Sequence, residues 1–528
     1  MLDGAIQESD GDKKLSAEVL KRYARAELDL NRHKPRISAC YRYALPWRTG
    51  FDQTQPVDQL DDVYDDTLMT VVEDFAADMV GTFTPEKSVW CELSPVEGLA
   101  PEVKRQVKDQ VAVIQRTIFA EMQRSNLYQA LQESYLDLAI GTMSLTVQSI
   151  DLHEPLHCQA IPMTELRIDR GPYGFVDGRW RKKRMRAEEI KVLWPDARAP
   201  NGRDWDKPDA EHDVIDGCWR VWSEKGDEVY QYAVVADSKL IYQQRYTGAG
   251  SCPWIVARWS GDSCTAWGVG PTYRSMPTYQ ALNHVRFLLL KKLDEITDPA
   301  FSFEHDGVAN FDNGLEPGTG IPRAVGSKAP EVIESKGRFD VTWMQADELV
   351  SAVKRAHYQD RPEQRGKTPP TAQQWMEESA ERWRRMGTPA TKLVIELMYP
   401  TVKRFAYLLL ARKRLQPLVV NGEPYHPLDP RFVALTPTSP LLRAQEQEEL
   451  LRIVRTVEIM VAQFGPQIAA VIVDIFEFAK QVQALLGTEV MRKESEIKAA
   501  IEQLLPVLKA SGGGGQTLDP AALVGPGG

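Results

Sequence analysis

What most limits the fold of this chain is a helix that runs out, a Gly- and Pro-rich module, and a second helix that runs back. Over residues 277–296, Leu282, Val285, Leu289, Leu293 and Ile296 recur at spacings of 3, 4, 4 and 3. Arg286, Lys292 and Glu295 oppose them, so the pattern predicts an amphipathic helix of about 30 Å at 1.5 Å per residue. Residues 299–342 then carry Asn313-Gly314, Pro317-Gly318 and Gly320-Ile321-Pro322. These are turn pairs, and they predict a small α/β insertion. Helical spacing resumes over 346–358.

Before the hairpin, helical spacing predicts helices at 16–44, 61–80, 101–124 and 127–140, the second ending at Gly81 with Pro85 beyond it. Residues 89–93 alternate as a short strand. Between 142 and 260 the hydrophobic period changes from 3.6 to 2, predicting strands at 144–150, 166–168, 214–222, 228–235, 240–245 and 255–259. The middle third is therefore a β-rich subdomain on a helical frame. After the hairpin, residues 359–370 hold no apolar side chain except proline. A helix is expected from Thr371, supported by Glu378–Arg382 and Glu381–Arg385 pairs. It restarts at Thr388-Pro389 and kinks at Pro400. Ser439-Pro440 is expected to cap a last helical region with breaks at Gly465-Pro466 and Gly487, and the Gly-rich tail from Ser511 is expected to be flexible. The expected class is α+β, mainly helical, in about three units for 528 residues.

Composition narrows the function. A net charge of −10 argues against a domain that must grip nucleic acid tightly. The 13 Trp, 17 Tyr and 15 Phe supply a large core and exclude a disordered chain. Six cysteines without a CxxC pair predict neither a disulfide framework nor a zinc site, and so a reducing compartment. No run of 18 apolar residues or secretory pattern is present, so a soluble, intracellular protein is expected.

No motif forms a catalytic constellation. His153-Glu154-Pro155-Leu156-His157 matches HExxH, but Pro155 and the preceding alternation oppose the helix that would set both histidines one turn apart. Gly366-Lys367-Thr368 lacks the first glycine and preceding strand of a phosphate loop, and Trp267-Gly268-Val269-Gly270 reads as a turn. The basic runs Arg179–Arg186 and Arg412-Lys413-Arg414 read first as solvated faces or helix-end charges. Arg361, Arg365 and Lys367 differ: they stand on the segment without apolar anchors, as a loop offering cations to a polyanion would.

In order along the chain, Tyr64-Asp65-Asp66-Thr67-Leu68 through Phe83-Thr84-Pro85 to Trp90 resembles the portal, or head-to-tail connector, proteins of short-tailed bacteriophages. So does Leu127-Tyr128-Gln129-Ala130-Leu131 through Ala139-Ile140-Gly141. A third stretch runs from Cys252-Pro253-Trp254-Ile255-Val256-Ala257-Arg258-Trp259 to Trp267-Gly268-Val269-Gly270-Pro271. The resemblance spans about residues 16–510 and implies a portal fold assembled as a ring. Its parts would be a wing (1–276, with the β-rich subdomain at 142–260), first stem helix (277–298), clip (299–345) and second stem helix (346–358). A channel loop (359–370), a long kinked wing helix and connection (371–438), crown helices (439–510) and the tail (511–528) follow. Thr371-Ala372 is followed by Gln373-Gln374-Trp375, where family members often place an acidic and a β-branched residue.

The resemblance further implies a ring of about twelve subunits at one capsid vertex of the virion, made in the host bacterial cytoplasm. Double-stranded DNA would enter and leave through its channel. Implied partners are the terminase large subunit, a tail adaptor protein, major capsid and scaffolding proteins, and internal ejection proteins; no membrane, cofactor, metal or enzymatic activity is implied. Arg361, Arg365 and Lys367 would touch DNA in the channel loop, and Lys291, Lys292, Lys354 and Arg355 would line the stem. Two other readings stand beside it: a zinc metallohydrolase built on His153 and His157, and a capsid scaffold component without DNA contact.

Overall fold

Alternating side chains in the middle third fold into two antiparallel sheets. The computed structural model describes residues 10–439 except 49, 52–61, 199–204, 206, 223–227, 262–263, 298–300, 303–325, 327–330, 333–338, 360–384 and 388. The chain divides into two compact units: Met1–Gly81 with Pro95–Arg361 and Lys392–Ala434, and Thr82–Ser94 with Pro362–Thr391 and Leu435–Gly528. Its first elements are α1 (Asp10–Ala44), α2 (Thr67–Thr82), β1 (Cys91–Pro95), α3 (Pro101–Arg124) and α4 (Leu127–Ile140). There follow β2 (Thr142–Gln148), β3 (His157–Ala160), β4 (Leu166–Arg170), β5 (Val176–Arg186), α5 (Ala187–Leu193) and β6 (Glu211–Arg220). Next come β7 (Val229–Ala236), β8 (Lys239–Thr247), β9 (Trp254–Arg258), α6 (Pro271–Thr297), the paired β10 (Phe301–Ser302) and β11 (Glu331–Val332), and α7 (Phe339–Ala356). The described chain ends with a π turn (Val394–Met398), a helix (Tyr399–Ala411) and the strands β12 (Leu418–Val420), β13 (Glu423–Tyr425) and β14 (Val433–Pro437).

In the first unit, strands in the order β4-β5-β6-β7-β8 make one sheet and β3-β2-β9 another. The apolar stripe of α1 covers the larger sheet: Val19, Tyr23 and Ala26 pack into one cluster with Trp180, Trp219, Ala233, Val235 and Leu240. Trp180 lies beneath Gly178 and Gly217, where any Cβ would collide with its ring. The basic run at 179–186 is thus a central strand, paired from Gly178↔Trp219 to Arg186↔Glu211. Two of its charges are paired locally, Arg181 with Glu165 at 2.6 Å and Arg184 with Glu211 at 2.9 Å.

Two of the stretches singled out in the sequence meet in a backbone seam. Trp259 N–H donates to Gly141 O, and Gly270 N–H to Ile140 O, both at 2.9 Å. Gly268 N–H donates to Thr142 Oγ1 at 2.9 Å. A Cβ on Gly268 would strike the Gly141 carbonyl, and one on Gly270 the Ala139 carbonyl. The Gly268-Val269-Gly270 string is therefore explained by close packing of main chains.

Several boundaries differ from the sequence expectation. The helix expected from residue 277 begins at Pro271 and holds Pro277 on its exposed side. The returning helix begins at Phe339, seven residues before the expected 346. Gly81 lies inside α2, which runs to Thr82. Near the expected kink at Pro400, the chain makes its π turn, with Tyr399 N–H bonded to Val394 O. A π turn beside a proline is a recognised source of helix bending.

That turn carries Glu396, whose carboxylate is gripped by Arg258 of β9. Nη2 lies 2.5 Å from Oε1, and the Arg258 backbone N–H donates to Oε2 at 3.0 Å. Both side chains are nearly inaccessible. Further along, Arg404 donates to the carbonyls of Val147 at 3.0 Å and Ser251 at 2.7 Å. In the second unit, β1 pairs with β14, extended by Thr438 N–H donating to Trp90 O at 2.9 Å. The expected crown helices and tail lie outside the described residues from 440 onward.

Candidate functional site

The site is built on the hairpin of α6 and α7. Thr272 Oγ1 lies 2.9 Å from His357 Nε2, and the Arg286 guanidinium sits 5.3 Å over the Trp343 ring. Fourteen residues separate these contacts on each helix, so the two run antiparallel in constant register for about 21 Å. The segment just before α2 holds the lower half of α6. Tyr279 O–H donates to Asp65 O, Asn283 Nδ2 donates to Asp62 O at 2.8 Å and its Oδ1 accepts from Tyr64 N–H at 2.7 Å. Arg286 reaches the Asp65 carboxylate at 3.1 Å.

The base of the hairpin is dry. His357 is buried, its Nδ1 2.9 Å from Val353 O. With Nδ1 donating, Nε2 accepts from the Thr272 hydroxyl, which is the arrangement of a neutral imidazole. Burial holds its pKa down at about 4. α7 then closes with Tyr358 N–H on Arg355 O at 3.2 Å and Gln359 N–H on Lys354 O at 2.9 Å. Tyr358 has φ of 62°, so this is a Schellman close with tyrosine in the position glycine usually takes. The Tyr358 ring lies 5.7 Å from that of Trp259, and Gln359 Nε2 donates to Asp78 at 2.9 Å. The helix end and exit of the chain are therefore fixed immediately before residue 360.

The expected stem cations fall at two levels. Lys354 and Arg355 are exposed at the base, whereas Lys291, exposed, and Lys292, half-buried, lie near the far end of α6. Arg355 is level with Arg274 in the register above, which puts the two pairs about 25 Å apart along the hairpin. Between them α7 exposes Asp347 and Glu348, and Asp294 stands beyond Lys291. Consecutive helix residues point about 100° apart, so at most one cation of each pair faces straight toward a common axis. Arg361, Arg365 and Lys367 lie outside the described residues, as do Gly366-Lys367-Thr368 and the Thr371-Ala372 junction.

The remaining sequence candidates have structural partners. His153 and Glu154 lie in the loop before β3 while His157 opens that strand opposite Gln148, so the two histidines do not share a helix face. Arg412 holds this loop by donating to the carbonyls of Asp151 and Glu154 at 2.5 and 2.6 Å, and Arg414 donates to Leu152 O at 2.9 Å. Leu156 N–H is satisfied by buried Glu121 at 3.2 Å. Among the described residues no group of three or more His, Cys, Asp or Glu is placed to hold a metal, and no helix is long and apolar enough to cross a membrane. Sequence reasoning missed the Arg258–Glu396 pair and the close at Tyr358. Neither has a local signature, since each is made by residues that sequence separates or by a backbone angle.

The described residues thus set a helical hairpin with exposed cations and carboxylates on a mixed α+β body. The chain belongs to the family of bacteriophage head-to-tail connecting proteins, which it matches over residues 16–490. As such a connector it is associated with the virion. Among solved structures it is similar to a chain from the virion of a native gene transfer agent particle, at 11% identity and TM-score 0.33, covering 77% of this chain and 88% of that one. No curated protein matches it.

Proposed function

We propose that this protein is the portal of its virion: a ring of about twelve subunits at one capsid vertex, through which double-stranded DNA is packaged and ejected. It hydrolyses nothing itself and serves as the docking platform for terminase and later for a tail adaptor. Membership of the connector family across residues 16–490 carries this reading. In it, α6 and α7 are the stem, the intervening residues the clip, 359–370 the channel loop, the preceding body the wing, and 439–510 the crown.

The charge order along the hairpin supports a conducting channel. Cationic levels at Lys354/Arg355 and Lys291/Lys292 are separated by carboxylates at Asp347 and Glu348. Repeated around a ring, this would attract phosphates at intervals and release them between, keeping DNA centred without retaining it. Arg361, Arg365 and Lys367 would add contacts in the loop. Phe287, Leu288, Leu290, Leu293, Trp343 and Met344 are exposed on the hairpin, as expected of surfaces that neighbouring subunits cover.

Negative-stain images of the purified chain test the assembly: rings with a central hole are expected, and monomers at every concentration would overturn it. DNA conduction is tested by charge reversal at Arg361, Arg365 and Lys367. Lower packaging or retention of DNA is expected, and unchanged values in rings of normal appearance would remove the loop's role.

A further inference from the structure

Two cysteines separated by 34 residues bring their sulfurs to 3.8 Å: Cys218 on β6 and Cys252, two residues before β9. Cys218 is buried, whereas Cys252 is only half-buried and lines an open cavity of about 300 Å³ that also exposes Arg179 and Tyr230. Of the two, Cys252 is the one that borders the cavity. Arg179 Nη1 donates to Cys252 Sγ at 3.4 Å. The buried guanidinium of Arg404 binds the carbonyls of Gly250 and Ser251 at 3.4 and 2.7 Å, bringing a second positive charge beside the thiol.

From this geometry we infer that Cys218 and Cys252 form a reversible dithiol–disulfide site, with Cys252 the attacking thiolate and Cys218 the resolving thiol. Electrostatics agree. Burial opposes ionisation of Cys252, but the hydrogen bond from Cys218 and the charges of Arg179 and Arg404 outweigh it and lower its pKa. Burial and the neighbouring Cys252 push Cys218 the other way. These opposed shifts favour the thiolate at Cys252 and keep the proton on Cys218, the division of labour that thiol oxidation needs.

The oxidant is a hydroperoxide. Cys252 thiolate attacks the peroxide, forming an S–O bond as the O–O bond breaks; the leaving hydroxide takes a proton and departs as water. Cys218, losing its proton, then attacks the Cys252 sulfur, forming S–S as S–O breaks and a second water leaves. Two thiols give up two electrons, and one hydrogen peroxide becomes two waters. To bond, sulfurs at 3.8 Å must close to about 2.05 Å. Because the arginines stabilise the thiolate, they also favour the reduced form, so the bond is one that cellular thiols readily reopen. A virion component leaves a reducing cytoplasm for an oxidising exterior, and there the bond would tie the five-stranded sheet to the strand entering the three-stranded one.

The purified full chain is treated with hydrogen peroxide at neutral pH, its free thiols are blocked with iodoacetamide in denaturant without reductant, and it is digested with trypsin. Cleavage after Arg220, Arg245 and Arg258 leaves Cys218, Cys252 and exposed Cys264 on separate peptides. The expected result is a Cys218–Cys252 cross-linked peptide in most molecules, lost on adding dithiothreitol. In the Cys218→Ser chain, Cys252 should instead accumulate as a sulfenic acid that dimedone traps. Equal alkylation of both thiols before and after peroxide, or cross-links confined to Cys264, would overturn the site. The wild-type digest decides the matter even if the variant fails to fold.

Discussion

At the residue scale, burial turns single side chains into large terms. Arg258 and Glu396 are both nearly inaccessible and bonded through side chain and backbone. Glu396→Gln leaves a buried guanidinium without its counter-charge and should cost about 3–5 kcal/mol, read as a lower urea midpoint with unchanged slope. Replacing both by apolar residues of similar size should recover most of that loss, because the desolvation of the charges then disappears as well. His357 gives a pH signature. Its folded pKa of about 4 lies below the ordinary 6.5, so between those values the unfolded chain binds a proton that the folded chain refuses. Its contribution is whole above pH 6.5, falls as pH drops toward 4, and amounts to about 3 kcal/mol at 1.36 kcal/mol per unit. His357→Gln should flatten that part of a stability-versus-pH curve. Neither effect was legible beforehand, since Glu396 lies among ordinary helix-forming residues and eight histidines offer no reason to select one.

At the element scale, what could be read depended on how much of an element's stability is local. The helices expected at 101–124 and 127–140 occupy those residues because their apolar stripes and end signals agree. β5 was not foreseen as a strand, because its buried positions include Gly178 and, on the face opposite Trp180, Arg181. The alternation that reveals a strand is broken where a tryptophan fills the space over two glycines. α6 extends upstream of Pro277 because the missing N–H and ring are tolerated on an exposed face of the first turns. Glycines show the same dependence on context. Gly81→Ala, with open space around a helical backbone, should stabilise the chain by about 0.5–1 kcal/mol. Gly268→Ala forces a methyl into the Gly141 carbonyl and should destabilise it by about 1–3 kcal/mol or more. Melting temperatures of the two variants should therefore move in opposite directions.

At the scale of the whole molecule, the proposed portal role requires an acidic chain to pass DNA, and that is no contradiction once grip and passage are distinguished. A net charge of −10 weighs against a tight binder, while alternating levels of charge on the hairpin suit transient contact. The hairpin itself was legible from a stripe and a Gly/Pro-rich break. The loop cations were legible only as a composition, and which of the paired stem cations faces an axis depends on neighbours outside one chain. If the proposed ring forms through the hairpin, Leu290→Asp, which places a charge on an exposed apolar position, should shift sedimentation from ring to monomer while leaving the helical circular dichroism of the chain unchanged.

The constant register between Thr272–His357 and Arg286–Trp343 makes the hairpin a graduated spacer. Adding one residue to α6 alone would turn everything beyond it by about 100° and unpair the two helices. Adding seven to each, close to two turns, would lengthen the spacer by about 10 Å and leave the distal residues facing almost as before. The length of the hairpin can thus change in whole steps of the helix, but not residue by residue.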